Sequence, residues 1–225
     1  MVLHSQQNCP MSSARFPSLY PILDFACVFP SGAPEPHARW SRLRALAAEL
    51  GAAGVAILQY RNKLDADMLL AQDCLAIREA APQIQLILND RPALVAAAGW
   101  DGVHVGQDDR SPAEARALLG SKAIVGLSTH NEEQVRVADR QPVDYIAIGP
   151  VFRTISKSDT SPVIGLEGVA RARALTEKPL VAIGGITLEN AASVYDAGAD
   201  SLAVISAIFA DRDPSRAAEQ FLRMV

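Results

Sequence analysis

The clearest alternation of strand and helix patterns in the chain lies in residues 180–205, LVAIGGITLENAASVYDAGADSLAVI. Short apolar runs stand at its two ends, over 180–183 and 201–205, and predict two buried strands. Between them, residues 188–196 have the apolar spacing of an amphipathic helix, and Gly198 follows as a helix-terminating glycine. The stretch therefore predicts a strand, a crossover helix and a second, parallel strand.

The same unit recurs along the whole chain. Six further strands are predicted at 19–23, 55–58, 84–88, 102–105, 124–127 and 145–148. Helical patterns follow the first six strands, at 38–50, 65–80, 93–99, 112–119, 132–140 and 166–176, and a last one covers 215–224. Eight units in 225 residues predict an α/β protein with a single-domain (β/α)₈ TIM barrel over 19–225, after an N-terminal extension over 1–18. A doubly wound open sheet stays open as the alternative, because periodicity does not show closure.

Composition and charge exclude several classes of protein. The formal net charge is -4 and there is no sustained run of Lys or Arg, so neither nucleic acid nor a membrane surface is expected as a partner. No export signal or membrane span is predicted. The three cysteines, Cys9, Cys27 and Cys74, are too far apart for a disulfide framework or a metal knuckle, and a cytoplasmic location fits best. No interface signal decides whether the chain forms a homo-oligomer.

Cationic residues follow the second predicted strand, in Gln59-Tyr60-Arg61-Asn62-Lys63. Active sites of such barrels lie at the carboxyl ends of the strands. Alternate residues of an extended segment point the same way, so we expect Gln59, Arg61 and Lys63 to converge on one ligand, and two cations with an amide suit a diphosphate. Taken alone, a charged cluster that leaves a strand is more often a solvated loop.

Carboxylates follow the next two strands, in Asn89-Asp90-Arg91 and Gln107-Asp108-Asp109. Carboxylates of adjacent loops can share one Mg²⁺ ion, which completes its shell with water and substrate phosphate. The alternative is that these residues only cap helices or form turns.

Two glycine and serine turns predict a second anion site. Gly184-Gly185-Ile186 follows strand seven, and Ile205-Ser206-Ala207 follows strand eight. In this architecture, backbone N–H groups at these two positions bind phosphate without a side-chain charge. The long connection that starts at 149–157 carries two hydroxyls and an ammonium and is typical of a lid, although a merely flexible loop has the same composition. Two anion sites imply two phosphorylated ligands.

The two histidines near these loops do not predict a metal site or a nucleophilic pair. His104 lies within a strand, so a core or supporting position is expected, and His130 is expected at a helix start. No nucleophile elbow or Cys/His pairing is present, and covalent catalysis is therefore not expected.

Together these motifs resemble the thiamine phosphate synthase family from about Leu19 to Phe209, each motif in its own loop. The resemblance implies an aminopyrimidine diphosphate site made of Gln59, Tyr60, Arg61, Asn62, Lys63, Asn89, Ser128 and Lys157. It implies a thiazole phosphate site made of Thr154, Ile155, Ser156, Gly185, Ile205 and Ser206. It also implies Mg²⁺ as cofactor on Asp90 and Asp109, with Arg61, Lys63 and Lys157 as catalytic residues.

The reaction implied by the resemblance is a transfer of the pyrimidinylmethyl group in thiamine biosynthesis. Diphosphate leaves the pyrimidine methylene, and the thiazole nitrogen traps the resonance-stabilised cation. Two positions depart from the family pattern: Ser156, where Thr is common, and Arg153, where Pro is common. Two alternatives stay open: a thiazole tautomerase, which has little use for the two carboxylates, and a non-catalytic sensor of a phosphorylated heterocycle.

Overall fold

The computed structural model describes residues 16–64, 66–154 and 161–224. Within them, parallel strands form one closed barrel in chain order, β1 pairing with both β2 and β8. Closure confirms the predicted barrel and excludes the open sheet. The strands are β1 (Leu19–Asp24), β2 (Ile57–Arg61), β3 (Gln85–Asn89), β4 (Gly102–Val105), β5 (Ile124–Thr129), β6 (Tyr145–Ile148), β7 (Leu180–Ile183) and β8 (Ser201–Val204).

Helices surround the barrel between successive strands. They are α1 (Phe25–Val28), α2 (Pro36–Ala52), α3 (Asp67–Ala80), α4 (Pro92–Ala98), α5 (Pro112–Leu119), α6 (Glu132–Asp139), α7 (Gly165–Arg173), α8 (Leu188–Asp196), α9 (Ser206–Phe209) and α10 (Pro214–Leu222). Each predicted strand and helix is present, with ends shifted by at most about three residues. The sequence pattern does not predict α1 and α9, because a helix of 4 residues is too short to show an apolar period.

Alternating residues of each strand build two cores. One face packs against the helices, and the other fills the barrel interior with a smaller cluster that includes Tyr20, Ile57, Tyr145 and Val181. Gly126 of β5 makes room for the interior ring of Tyr145, because a Cβ atom at this glycine would lie 2.0 Å from Tyr145 Cζ. The interior is therefore a packed core rather than a channel.

The N-terminal extension can be followed from residue 16. The Phe16 ring lies 5.0 Å from that of Tyr145, between ring centroids, and the Ser18 carbonyl accepts a hydrogen bond from the Tyr195 hydroxyl. The rest of the extension, residues 1–15, lies outside the described residues. In the described ranges, no helix combines the length and the apolar character needed to cross a bilayer.

Candidate active site

Successive side chains at the end of β2 point alternately to two sides of the strand. Gln59 donates to the Tyr20 hydroxyl in the barrel interior, and Arg61 forms an ion pair with Asp24 at the end of β1. Tyr60 is fully buried on the helix side of the strand and donates to Asp73 of α3.

Asn62 points to the same side as Tyr60, because its Nδ2 donates to the Tyr60 hydroxyl and its Oδ1 accepts from the backbone of Leu64. The side chains of Tyr60 and Asn62, both included in the diphosphate site implied by the resemblance, therefore face the helix layer rather than the mouth of the barrel. Strand alternation is the physical reason. Any contact of these two residues with a ligand falls to their backbone.

A pair of carboxylates occupies the mouth between β3 and β4. Asp90 and Asp109 are hydrogen-bonded to each other, and Lys63 Nζ lies 3.2 Å from Asp90 Oδ2. Burial raises the pKa of Asp90, and the neighbouring carboxylate of Asp109 raises it further. At Asp109 burial also raises the pKa, but the hydrogen bonds from Asp90 and from the Gly106 N–H, with Lys63 nearby, leave it lowered overall. The ionisation of each carboxyl group thus depends on the other.

This pair fits a divalent cation. A bound cation would relieve the repulsion between the two carboxylates. Asp108 and Asp109 are both exposed, and it is Asp109 that contacts Asp90. No cluster of three or more His, Cys, Asp or Glu exists in the described ranges, so water and substrate oxygens would have to supply the other ligands. That sparse donor set is typical of Mg²⁺.

Asn89, at the end of β3, carries a buried donor without a partner. Asn89 is paired with His104 in the register of β3 and β4. Only 7% of the residue is exposed, and its Nδ2 has no hydrogen-bond partner among the described residues. A buried, unpaired N–H group costs about 1–3 kcal/mol. Nδ2 is therefore a donor whose acceptor the described residues do not supply.

A cavity of about 580 Å³ opens at the other half of the mouth, over β5 to β8. Thr154, Gly185, Ile205 and Ser206, four residues of the implied thiazole phosphate site, line it together. Ser128, from the implied pyrimidine site, lines the same cavity. The two implied sites are therefore contiguous.

Glycines after β7 allow the cavity wall to form. Gly184 and Gly185 have φ values of 105° and 64°, which favour glycine. A Cβ at Gly185 would lie 2.5 Å from the carbonyl oxygen of Arg153, and one at Gly184 would lie 2.7 Å from Pro150 Cα. The turn can thus press against the start of the connection that follows β6.

Both ends of that connection are tied to the rim. Val151 N–H donates to the Ile183 carbonyl at 2.9 Å, and Ile164 N–H donates to the Pro150 carbonyl at 2.9 Å. Arg153, one of the departures from the family pattern, lines the cavity. The middle of the connection lies outside the described residues, and with it Ile155, Ser156 and Lys157.

The histidines take different positions. His104 is buried in the interior, as expected, and its two ring nitrogens contact the hydroxyls of Tyr145 and Ser128. His130 precedes α6 and lines the cavity, with Nδ1 at 2.7 Å from the Gly149 carbonyl.

Sequence reasoning missed Tyr20, Tyr145 and Asp24 as partners of site residues. Their place on the strands was a usable signal: Asp24 ends the apolar strand β1, and each tyrosine lies on the interior face of its own strand, Tyr20 on β1 and Tyr145 on β6.

The chain is similar to known proteins over most of its length. The family model described as thiamine monophosphate synthase matches residues 34–208. The thiamine-phosphate synthase of Koribacter versatilis is 48% identical over 215 residues, covering 95% of this chain and 98% of that protein. That of Chloroflexus aurantiacus is 41% identical over 174 residues, covering 76% and 80%. The solved thiamine phosphate pyrophosphorylase from Pyrococcus furiosus is 29% identical with a TM-score of 0.76, covering 92% and 94%.

Proposed function

The chain belongs to the thiamine monophosphate synthase family, and from this premise we propose that it joins an aminopyrimidine diphosphate to a thiazole phosphate with the help of Mg²⁺. The enzyme is a transferase of thiamine biosynthesis, and its product is thiamine phosphate. The thiazole substrate is the phosphate ester or its carboxylated form. The cytoplasm is its proposed location.

One observation carries the proposal: two regions of different chemistry, each suited to a phosphorylated group, meet at the same barrel mouth. Lys63 and the carboxylate pair of Asp90 and Asp109 lie on one side. The cavity with the Gly184-Gly185 turn lies on the other, and Ser128 lines it. A reaction between two phosphorylated rings needs both regions side by side, since the reacting atoms must be held close together.

On the diphosphate side, the chain's own residues stabilise a leaving group. Arg61 is held by Asp24 and is mostly buried, with 17% of its side chain exposed, so its orientation is fixed before the ligand arrives. Lys63 adds a second cation, and Asn89 Nδ2 adds a neutral donor. When bound, Mg²⁺ would neutralise negative charge on the departing diphosphate. These groups favour departure because charge builds up on the diphosphate as the bond breaks.

On the thiazole side, backbone groups hold the phosphate. The turn at Gly184-Gly185 and the backbone around Ser206 supply N–H groups, with the hydroxyls of Thr154 and Ser206 nearby. This arrangement fixes the thiazole nitrogen over the pyrimidine methylene and needs no general base, because the attacking nitrogen carries no proton. Ile155, Ser156 and Lys157 complete the two sites in this proposal, on the strength of the resemblance alone.

The magnesium part is tested with a matched set of carboxylate variants. Asp90→Asn and Asp109→Asn each remove one proposed ligand, whereas Asp108→Asn removes the exposed neighbouring carboxylate. We expect the Mg²⁺ concentration for half-maximal turnover to rise about tenfold or more in the first two variants. It should not change in the third. Wild-type Mg²⁺ dependence in Asp90→Asn and Asp109→Asn would contradict the proposed metal site.

A further inference from the structure

We propose that a hydrogen-bonded chain inside the barrel fixes the Ser128 hydroxyl as a donor toward the cavity, with Tyr20, Tyr145 and His104 as positioning residues. The interior chain, as we call it, consists of Gln59, Tyr20, Tyr145, His104 and Ser128. It rests on the proposed function in one respect, since Ser128 is there a residue of the pyrimidine diphosphate site.

The contacts of the interior chain are continuous across the barrel. Gln59 Nε2 donates to the Tyr20 hydroxyl at 3.0 Å, and the hydroxyls of Tyr20 and Tyr145 lie 2.8 Å apart. Tyr145 Oη lies 2.8 Å from His104 Nδ1, and His104 Nε2 lies 2.7 Å from Ser128 Oγ. The chain thus connects β2 with β5 by way of β1, β6 and β4.

Counting protons gives the interior chain a direction. The Gln59 amide donates one N–H to Tyr20. With His104 taken as neutral, Tyr20, Tyr145, His104 and Ser128 each bring one proton to the three remaining contacts. Three contacts use three of these four protons, so one proton points outside the interior chain. On Tyr20 or Tyr145, which are 1% and 0% exposed, it would be a buried donor without an acceptor, and neither hydroxyl has another partner in the described part of the chain.

Only Ser128 can carry the spare proton without that cost, because it lines the cavity and a ligand or water can accept from it. The direction then runs from Gln59 through Tyr20 and Tyr145 to His104 Nδ1, and from His104 Nε2–H to Ser128 Oγ. Burial raises the pKa of both tyrosines, which keeps their protons in place. Ser128 therefore pairs with a hydrogen-bond acceptor of the bound ligand.

The tautomer of His104 tests this direction without any ligand. Long-range ¹H–¹⁵N NMR of the full-length protein labelled at histidine distinguishes the two neutral tautomers from the imidazolium, and His104→Gln assigns the signal. We expect the neutral Nε2–H form at neutral pH. The Nδ1–H form would mean that His104 donates to Tyr145 and that Ser128 donates to His104 Nε2, and it would overturn the proposal, as would an imidazolium.

A double-mutant cycle tests whether the interior chain acts through Ser128. Tyr145→Phe should raise KM for the pyrimidine diphosphate roughly threefold to tenfold, the size of one neutral hydrogen bond, and leave KM for the thiazole phosphate unchanged. Adding Tyr145→Phe to Ser128→Ala should have no further effect. Additive effects would overturn the proposal, because a merely structural role does not depend on Ser128.

Tyr195→Phe is the matched control. Its hydroxyl donates to the Ser18 carbonyl at 2.9 Å, outside the interior chain, so both KM values should stay at the wild-type level. A rise equal to that of Tyr145→Phe would overturn the proposal. Failure of the proposed function would look different: the wild type would form no product, while the tautomer measurement would still decide the direction of the interior chain.

Discussion

At the scale of single residues, Asp90 combines backbone strain with an unfavourable electrostatic position. Its φ of 67° lies in the left-handed region, which costs a non-glycine residue on the order of 1 kcal/mol. Its carboxyl is also partly buried beside that of Asp109, which raises its pKa. Asp tolerates this backbone conformation better than most residues. Strain of this kind persists where the position of a side chain matters, which agrees with a role as metal ligand.

Gly185 provides a prediction at the same scale. Gly185→Ala places a Cβ 2.5 Å from the Arg153 carbonyl at a φ of 64°, so the turn must move away from the cavity. We expect KM for the thiazole phosphate to rise about tenfold or more, since in the proposed function the turn supplies the N–H groups that bind the phosphate. KM for the pyrimidine diphosphate should change little. Steady-state kinetics with each substrate varied in turn measures both values.

Gly99→Ala separates backbone strain from loss of the site. Gly99 ends α4 with a nearly identical φ of 63°, but nothing lies within 4 Å of its added Cβ. This control should lose about 1 kcal/mol of stability and keep both KM values. If Gly185→Ala behaves like Gly99→Ala, the turn does not bind phosphate.

The sequence could predict the site only where the position of a residue along its own strand sets the direction of its side chain. Alternation along β2 predicted that Gln59 and Arg61 point the same way, and neither side chain lies on the helix side that Tyr60 faces. It could not show that Gln59 reaches Tyr20, because that contact joins two strands and depends on barrel geometry. The unpaired Asn89 Nδ2 is likewise a property of the packed interior and not of any motif.

At the scale of secondary-structure elements, α2, α3 and β2 are joined by a buried charge network behind the proposed diphosphate site. Arg39 of α2 forms an ion pair with Asp73 of α3, and Tyr60 of β2 donates to the same carboxylate at 2.6 Å. Arg39 and Asp73 are nearly inaccessible, at 3% and 0% exposure. The network fixes the strand end that carries Arg61 and Lys63.

Asp73→Asn tests the energetic weight of this network. The substitution leaves the Arg39 guanidinium buried without its counter-charge, and we expect the free energy of unfolding to fall by on the order of 3 kcal/mol. Glu79→Gln is the matched control on the same helix pair, since the Arg44–Glu79 ion pair is exposed and worth at most about 1 kcal/mol. Urea unfolding followed by circular dichroism measures both. Equal losses would mean that the buried pair has no special role.

Sequence periodicity located these elements well because each strand and helix carries its own apolar pattern. It did not reveal Asp73 as a buried charge, because the sequence around Asp73 on α3 is the same as that of an exposed polar residue. The ion pair with Arg39 of α2 and the hydrogen bond from Tyr60 of β2 offset the unfavourable burial of this charge. The short helices α1 and α9 were missed for the opposite reason, since they owe their conformation to the rim of the barrel and not to a pattern of their own.

At the scale of the whole molecule, barrel closure brings distant parts of the chain to one mouth. The carboxylates of Asp90 and Asp109 come from the loops after β3 and β4, and the Gly184-Gly185 turn follows β7. Repetition in the sequence predicted the number of units, and closure follows from the pairing of β1 with β8, which no local pattern encodes. Two ligand sites of different chemistry can therefore share one cavity rim, as a condensation requires.

The most direct test of this account is product formation by the purified protein. It is incubated with the pyrimidine diphosphate and the thiazole phosphate, with and without Mg²⁺, and thiamine phosphate is measured by fluorescence after oxidation. We expect thiamine phosphate to form in the presence of Mg²⁺, and little or none of it to form after chelation of the metal. Binding of both ligands without any product in the presence of Mg²⁺ would contradict it.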